Sequence, residues 1–278
     1  MKILEQDDFF NMKRQILYIF VFGLFFVNSC EKKPTDNRIS VVSLSLDYSV
    51  VALYPGQSLK LTVTVNPDSA TDTSVKWSSK DESIATVSSD GVVSAIAEGT
   101  AVITVASNDG DKKAECTVAV YSEMIQMTTN KPGYFGFFLR GTGMAIVDWG
   151  DGSANEAKEL STASDIGFNH NYSRENARII RVFGDIDITH LECRGHLLSQ
   201  LNVSNCSNLV SLNCNKNDIS NLDLSKNTKL RILRCNENRF SNLDLSKNTA
   251  LTELDCSINV LLKSLDVRKQ YGVNRFIL

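Results

Sequence analysis

Between residues 39 and 120 apolar and polar positions alternate in short runs. In Leu59-Lys60-Leu61-Thr62-Val63-Thr64-Val65 the leucines and valines fall on one side of an extended chain and Lys and Thr on the other, the period of two that marks a half-buried strand. Val75-Lys76-Trp77, Ala85-Thr86-Val87, Val92-Val93-Ser94-Ala95, residues 101–105 and residues 116–120 repeat the pattern, and Pro55-Gly56, Asn66-Pro67, Asp90-Gly91 and Asp109-Gly110 supply turns between them. Many short strands with frequent turns predict a β-sandwich, with Trp77 in its core. Strand-like runs return at 135–139, 144–149 and 179–183, separated by glycine-rich turns. From residue 186 onward the rhythm changes to a repeat of 21 residues. Ahead of everything lies an unbroken apolar run, residues 16–27, introduced by Lys13 and Arg14 and closed by Asn28-Ser29-Cys30.

The repeat is read from its own landmarks. Leu209-x-x-Leu212-x-Cys214-x-x-Asn217-x-Ile219 returns as Leu230-x-x-Leu233-x-Cys235-x-x-Asn238-x-Phe240 and Leu251-x-x-Leu254-x-Cys256-x-x-Asn259-x-Leu261, with Ile188-x-x-Leu191-x-Cys193 as a first copy. These segments resemble the leucine-rich-repeat pattern with Cys in one Leu slot, which implies a short solenoid over 186–278. A single coil cannot cover its apolar side, and four coils exceed the minimum of about three. Asn217, Asn238 and Asn259 are expected to turn inward at the bend, with His196 in that slot of the first coil. Stacked strands lie about 4.8 Å apart, within range of a disulfide, so a bonded ladder of Cys193, Cys214, Cys235 and Cys256 is one reading; buried thiols replacing core leucines is the other and the expected one.

Two further resemblances sit on quoted residues. Tyr54-Pro55-Gly56-Gln57, Trp77-Ser78-Ser79, Ile84-Ala85-Thr86-Val87, Gly91-Val92-Val93 and Gly99-Thr100-Ala101 together resemble the bacterial Ig-like domain, group 2, of surface adhesins, assigned to 39–121. Trp149-Gly150-Asp151-Gly152-Ser153 followed by His170-Asn171-Tyr172 resembles PKD-type domains and assigns 122–185 to a small PKD-like β domain. Asp148 and Asp151 in that turn offer calcium two carboxylates where six or more oxygens are needed, so a hairpin turn is preferred to a metal site. The fold class is therefore mainly β: Ig-like sandwich, PKD-like domain and leucine-rich-repeat solenoid.

The N-terminal run is too short to span a membrane and has the basic start of a secretory signal. Val27-Asn28-Ser29-Cys30 resembles a bacterial lipobox, which implies lipidation at Cys30, residues 1–30 as signal with Met12 as true start, and 31–38 as a polar tether; an ordinary signal peptide ending near a cysteine is the alternative. The chain is then expected to be exported and lipid-anchored to the bacterial cell envelope, outer membrane or cell surface.

Charge narrows the partners. Lys and Arg total 29 against 32 Asp and Glu, for a net charge of −3 without a basic cluster in the β regions, which argues against nucleic acid. Seven cysteines include no CxxC pair, so neither metal nor cofactor is expected. What remains for function is a surface. In each coil the strand residues that alternate with the inward Leu and Cys should face out: His190, Glu192 and Arg194; Ser211, Asn213 and Asn215; Ile232, Arg234 and Asn236; Glu253, Asp255 and Ser257. That polar strip is a candidate face for a protein or glycan, or simply a solvated sheet surface. The expected function is non-catalytic recognition or adhesion with the two preceding modules as stalk. The alternatives are a passive spacer of the cell envelope and, remotely, a Cys-His thiol enzyme using Cys193 with His190 or His196.

Overall fold

The computed structural model describes residues 37–109 and 111–266, with the backbone of 275–277, and every regular element among them is a β-strand. The apolar run 16–27 and Cys30 lie outside the described residues. All the strands belong to the unit Ile39–Leu278.

The alternating region folds into nine strands: β1 (Ser43–Leu46), β2 (Val50–Leu53), β3 (Ser58–Lys60), β4 (Val63–Asn66), β5 (Val75–Ser79), β6 (Ala85–Val87), β7 (Val92–Ala95), β8 (Gly99–Ser107) and β9 (Lys113–Val120). One sheet has the order β2-β9-β8-β5 and a second the order β3-β7-β6, while β1 pairs with β4. Ala101, Ile103, Cys116, Val118, Val93 and Ala95 point every second side chain into the space between the sheets and are fully buried, the consequence of the two-residue period. Trp77 packs against this core and against a smaller cluster around Val41, Leu44 and Val105.

The next six strands are β10 (Glu123–Thr129), β11 (Gly133–Asp148), β12 (Glu156–Glu159), β13 (Ile166–Tyr172), β14 (Arg178–Phe183) and β15 (Ile186–Glu192). β11 is the organising element, because its two halves pair with different partners. Its first half pairs with β13 and β15, its second with β12 and β14. The switch falls at Gly141–Gly143, where the register against β15 shifts between Arg140 and Gly141 and Gly143 takes φ +86. Such a bulge bends one strand across a sheet corner. Phe135, Phe137, Phe168 and Trp149 fill the core between the halves, with Phe137 stacked on Phe168 at 5.3 Å.

β15 then changes role along the same strand. It pairs antiparallel with β11 on one side and parallel with β17 (Ser211–Asn213) on the other, and β18 (Ile232–Arg234), β19 (Glu253–Asp255) and β20 (Arg275–Ile277) continue the parallel ladder, while β16 (Gln200–Asn202) crosses to pair with β10. The 21-residue period is visible directly in the register: Leu191, Leu212, Leu233 and Leu254 stand side by side. Each is buried, worth about 1.5–3 kcal/mol against exposure. β20 is a strand beyond the four coils expected. One hydrophobic core runs without a break from Ile125 to Cys256.

Two asparagine ladders close the coils. Asn238 Nδ2 donates to the carbonyls of Cys214 (3.0 Å) and Cys235 (3.1 Å), and its Oδ1 accepts from Ile219 N–H (3.1 Å); Asn217 and Asn259 repeat this geometry. In a buried turn each backbone group needs such a partner, which is why the amide, donor and acceptor at once, recurs there. The second ladder, Asn227 and Asn248, is fully buried: Asn227 Nδ2 donates to Val203 and Cys206 carbonyls at 2.9 and 2.8 Å, Asn248 to those of Leu224 and Asn227 at 3.0 and 2.9 Å.

Tyr54 joins the Ig-like sandwich to β11 and β14. Its hydroxyl donates to Asp148 Oδ2 at 2.9 Å, its ring meets Phe183 edge-on at 5.3 Å, and the Arg181 guanidinium lies 5.1 Å from the ring centroid. Burial and the neighbouring Asp148 carboxylate push the phenol up to about 12, so it stays a donor at physiological pH.

Candidate functional site

The parallel register turns the expected strip into hydrogen-bonded rows. One row crosses six strands as Gly167, Phe138, Glu192, Asn213, Arg234 and Asp255, and the next runs Arg140, His190, Ser211, Ile232 and Glu253. Arg194, Asn215, Asn236 and Ser257 come next, where each coil begins to bend. All twelve residues named from the repeat are exposed or half-buried, while the leucines and cysteines between them are buried. The structure therefore brings the first two rows onto one sheet face, while Arg194, Asn215, Asn236 and Ser257 lie past the strand ends, with the amide oxygens of Asn215 and Asn236 buried.

The charges on this face largely answer one another. Arg194 Nε lies 3.0 Å from Glu192 Oε1, Arg234 Nη2 2.9 Å from Glu253 Oε1, and Arg140 Nη2 3.0 Å from Asp165 Oδ1. Exposed pairs of this kind contribute about 0–1 kcal/mol to stability, so their effect is on potential: they cancel the field locally. Asp255 Oδ1 accepts from Ser257 Oγ at 2.7 Å, and His190 Nδ1 lies 2.9 Å from Thr189 Oγ1. Burial, helped by Arg140, lowers the His190 pKa and favours its neutral form.

The face does not stop at the coils, as the 21-residue period alone would have it. Because β15 is also a partner of β11, the strip continues onto β11 and β13, where Tyr134 stands opposite Asn171, Gly136 opposite Asn169 and Phe138 opposite Gly167. Tyr134 and Phe138 are exposed, whereas Phe135, Phe137 and Leu139 between them are buried. The run Tyr134-Phe135-Gly136-Phe137-Phe138 is aromatic at both parities, so only the register tells which rings face out.

The thiol-enzyme constellation is laid out differently. Cys193 is fully buried, and burial, with Cys214 next, drives its thiol well above the ordinary range, away from the thiolate that nucleophilic attack requires. Cys214 is held at about 12 by burial, and Cys235 and Cys256 are raised for the same reason. His190 belongs to the outer row. His196 is buried against Phe135, ring centroids 4.4 Å apart, and its Nε2 accepts from Gly136 N–H at 3.4 Å. Burial and the neighbouring Lys131 ammonium depress its pKa to about 4, so it is a neutral packing residue at pH 7.

The Asp148–Ser153 turn spends its carboxylates within the protein. Asp148 Oδ1 accepts from Gly150 N–H at 2.8 Å, and Asp151 accepts from Ser153 N–H at 3.0 Å and contacts His170 Nε2 at 2.7 Å. Burial opposes ionisation of Asp151, but the bonds from Ser153 and His170 outweigh it and bring its pKa to about 2. His170 stacks on Trp149 at 5.1 Å, and Tyr172 Oη donates to the Trp149 carbonyl at 2.8 Å. Gly150 is required by its φ of +71 and by the Ile179 carbonyl, 2.4 Å from where a Cβ would stand. A concavity of about 460 Å³ opens beside β10 and β16 and is lined by amides and hydroxyls including Gln126, Gln200, Asn202 and Ser220.

Comparison with known proteins identifies the first module. Residues 40–118 match the bacterial Ig-like domain (group 2) family. An alpha-L-arabinofuranosidase of Bifidobacterium longum subsp. longum is 47% identical over 70 residues, 25% of this chain and 7% of that protein. The kappa-carrageenase of Pseudoalteromonas carrageenovora is 42% identical over 82 residues, 30% of this chain and 21% of that one. Among solved structures, the functional domain of InlJ from Listeria monocytogenes, which includes a cysteine ladder, is similar with 37% identity and a TM-score of 0.30, over 31% of this chain and 19% of that chain. The chain thus spans less than a quarter of the length of each of these relatives.

Proposed function

We propose that this chain is a non-catalytic cell-surface lipoprotein, anchored through Cys30, that recognises a macromolecular ligand, glycan or protein, on the solvent face shared by β13, β11, β15, β17, β18 and β19. Residues 122–185 are read as a PKD-like module and 186–278 as a leucine-rich-repeat solenoid that carries most of that face; the bacterial Ig-like domain of residues 40–118 and the PKD-like module serve as the stalk, with the face extending onto the latter through β11 and β13. The observation that carries the reading is the register: Phe138, Glu192, Asn213, Arg234 and Asp255 form one row on adjacent strands, a wide platform fixed by main-chain hydrogen bonds. A surface held so rigidly loses little entropy on binding. Buried, high-pKa thiols and a neutral, packed His196 supply no nucleophile or base, which supports recognition over catalysis.

The test is attachment of the purified, labelled full chain to intact bacterial and animal cells. The combined variant Asn213→Ala, Arg234→Ala and Asp255→Ala, which removes no buried group, is expected to bind about tenfold less or worse with its melting transition within a few degrees of wild type. Undiminished binding by that variant would rule the strip out as the ligand face. Absence of any binding by the wild-type chain would favour a passive spacer instead.

A further inference from the structure

We infer that the β11–β13 end of this face is a binding site for an uncharged saccharide chain, with Phe138 and Tyr134 as its stacking platforms; the inference rests on the sheet face being a recognition surface. Phe138 and Tyr134 are 46% and 58% exposed on the same face of β11. Both lie down on glycine. A Cβ at Gly136 would stand 2.5 Å from the Tyr134 hydroxyl and 2.9 Å from its Cζ, and one at Gly167 would stand 3.1 Å from Phe138 Cε1. Neither glycine has a backbone angle that demands glycine. What each provides is a bare patch of sheet, on which a ring rests against the backbone and turns its other side to solvent.

The spacing and the neighbours fit one class of ligand. The Cα atoms of residues four apart on a strand are about 13 Å apart, and because the Tyr134 ring leans over Gly136 toward Phe138 the two platforms are closer than that, a spacing that suits adjacent units of a saccharide chain. Asn171 lies beside Tyr134 and Asn169 beside Gly136, both exposed, and Glu192 lies beside Phe138. Two amides and a carboxylate beside the two apolar platforms provide donors and acceptors for hydroxyls, while a pyranose presents the axial C–H face that packs on an aromatic ring. The charges nearby are already matched, Arg140 with Asp165 and Arg194 with Glu192. A site with a cancelled field favours a neutral polyol over a polyanion or a highly charged peptide.

Glycine-covering rings also protect a sheet, so the test separates binding from packing. Affinity electrophoresis of the full chain through gels containing a neutral β-glucan, mannan, arabinan or galactan should show retardation by at least one of them. With that polysaccharide, Phe138→Leu and Tyr134→Leu should each weaken binding about tenfold, while keeping apolar cover on the sheet. Gly136→Ala, which forces the Tyr134 ring off the surface, should do the same with Tyr134 still present. Thermal melting of each variant is the control for folding. Retardation unaffected by the ring variants, or retardation by none of the four polymers while the chain still attaches to cells, would overturn the saccharide site; in the second case the recognition face itself would stand, with a protein as its ligand. Loss of cell attachment in none of the strip variants would instead overturn the recognition face as a whole.

Discussion

Gly143→Ala is expected to destabilise the chain by more than about 4 kcal/mol and to abolish a cooperative transition for everything after residue 122. The glycine sits at φ +86, where an L side chain costs about 1–2 kcal/mol on its own. The larger cost is steric, because a Cβ there would lie 2.0 Å from the Asp185 carbonyl oxygen and 3.2 Å from Ile186 Cα, both backbone atoms that cannot swing away. Relief requires parting β15 from β11 at Gly143 opposite Ile186, and that pairing is what joins the aromatic core to the parallel coils. Gly152→Ala is the matched control. It has a similar φ of +82 with nothing within 4 Å of the new atom, so only the conformational cost of about 1–2 kcal/mol should be seen. Urea denaturation monitored by far-UV circular dichroism reads both.

Asn238→Ala should cost roughly 3 kcal/mol, although it deletes one small polar side chain. The two N–H donors that Asn238 shares among the carbonyls of Cys214, Cys235 and Asn236 vanish together, and Ile219 N–H is left without its acceptor inside the stack. The cavity is small; the unsatisfied backbone dominates. Asn221→Ala, an exposed asparagine of the preceding coil, should stay within about 0.5 kcal/mol of wild type. Equal effects at the two positions in equilibrium unfolding would show that the ladder does not hold the coils.

The strands of the first module and the inward side of the coils were legible because local chemistry repeats: alternation in one, and Leu, Cys and Asn every 21 residues in the other. The ladder Asn227–Asn248 lay in the repeated Leu-Ser-Lys-Asn but was hidden by Cys206, which fills the same slot in the earlier coil and donates its thiol to the Met124 carbonyl. β20 was missed because its residues lack the Leu-x-x-Leu-x-Cys signature. The seam at β15 was not legible at all, since a strand that is antiparallel to one neighbour and parallel to the other carries no local mark of either. The candidate site shared that blindness. Its polar rows came from the period, but Tyr134 and Phe138 joined them only through long-range register, 54 residues from Glu192 in the case of Phe138.

The most direct test of the recognition face is carboxyl and aromatic footprinting of the full chain, free and attached to a surface it binds. Protection should fall on Tyr134, Phe138, Glu192, Glu253 and Asp255, with the Ig-like sandwich unchanged. Protection confined to the sandwich, or to Asp223 in the concavity beside β10 and β16, would contradict it.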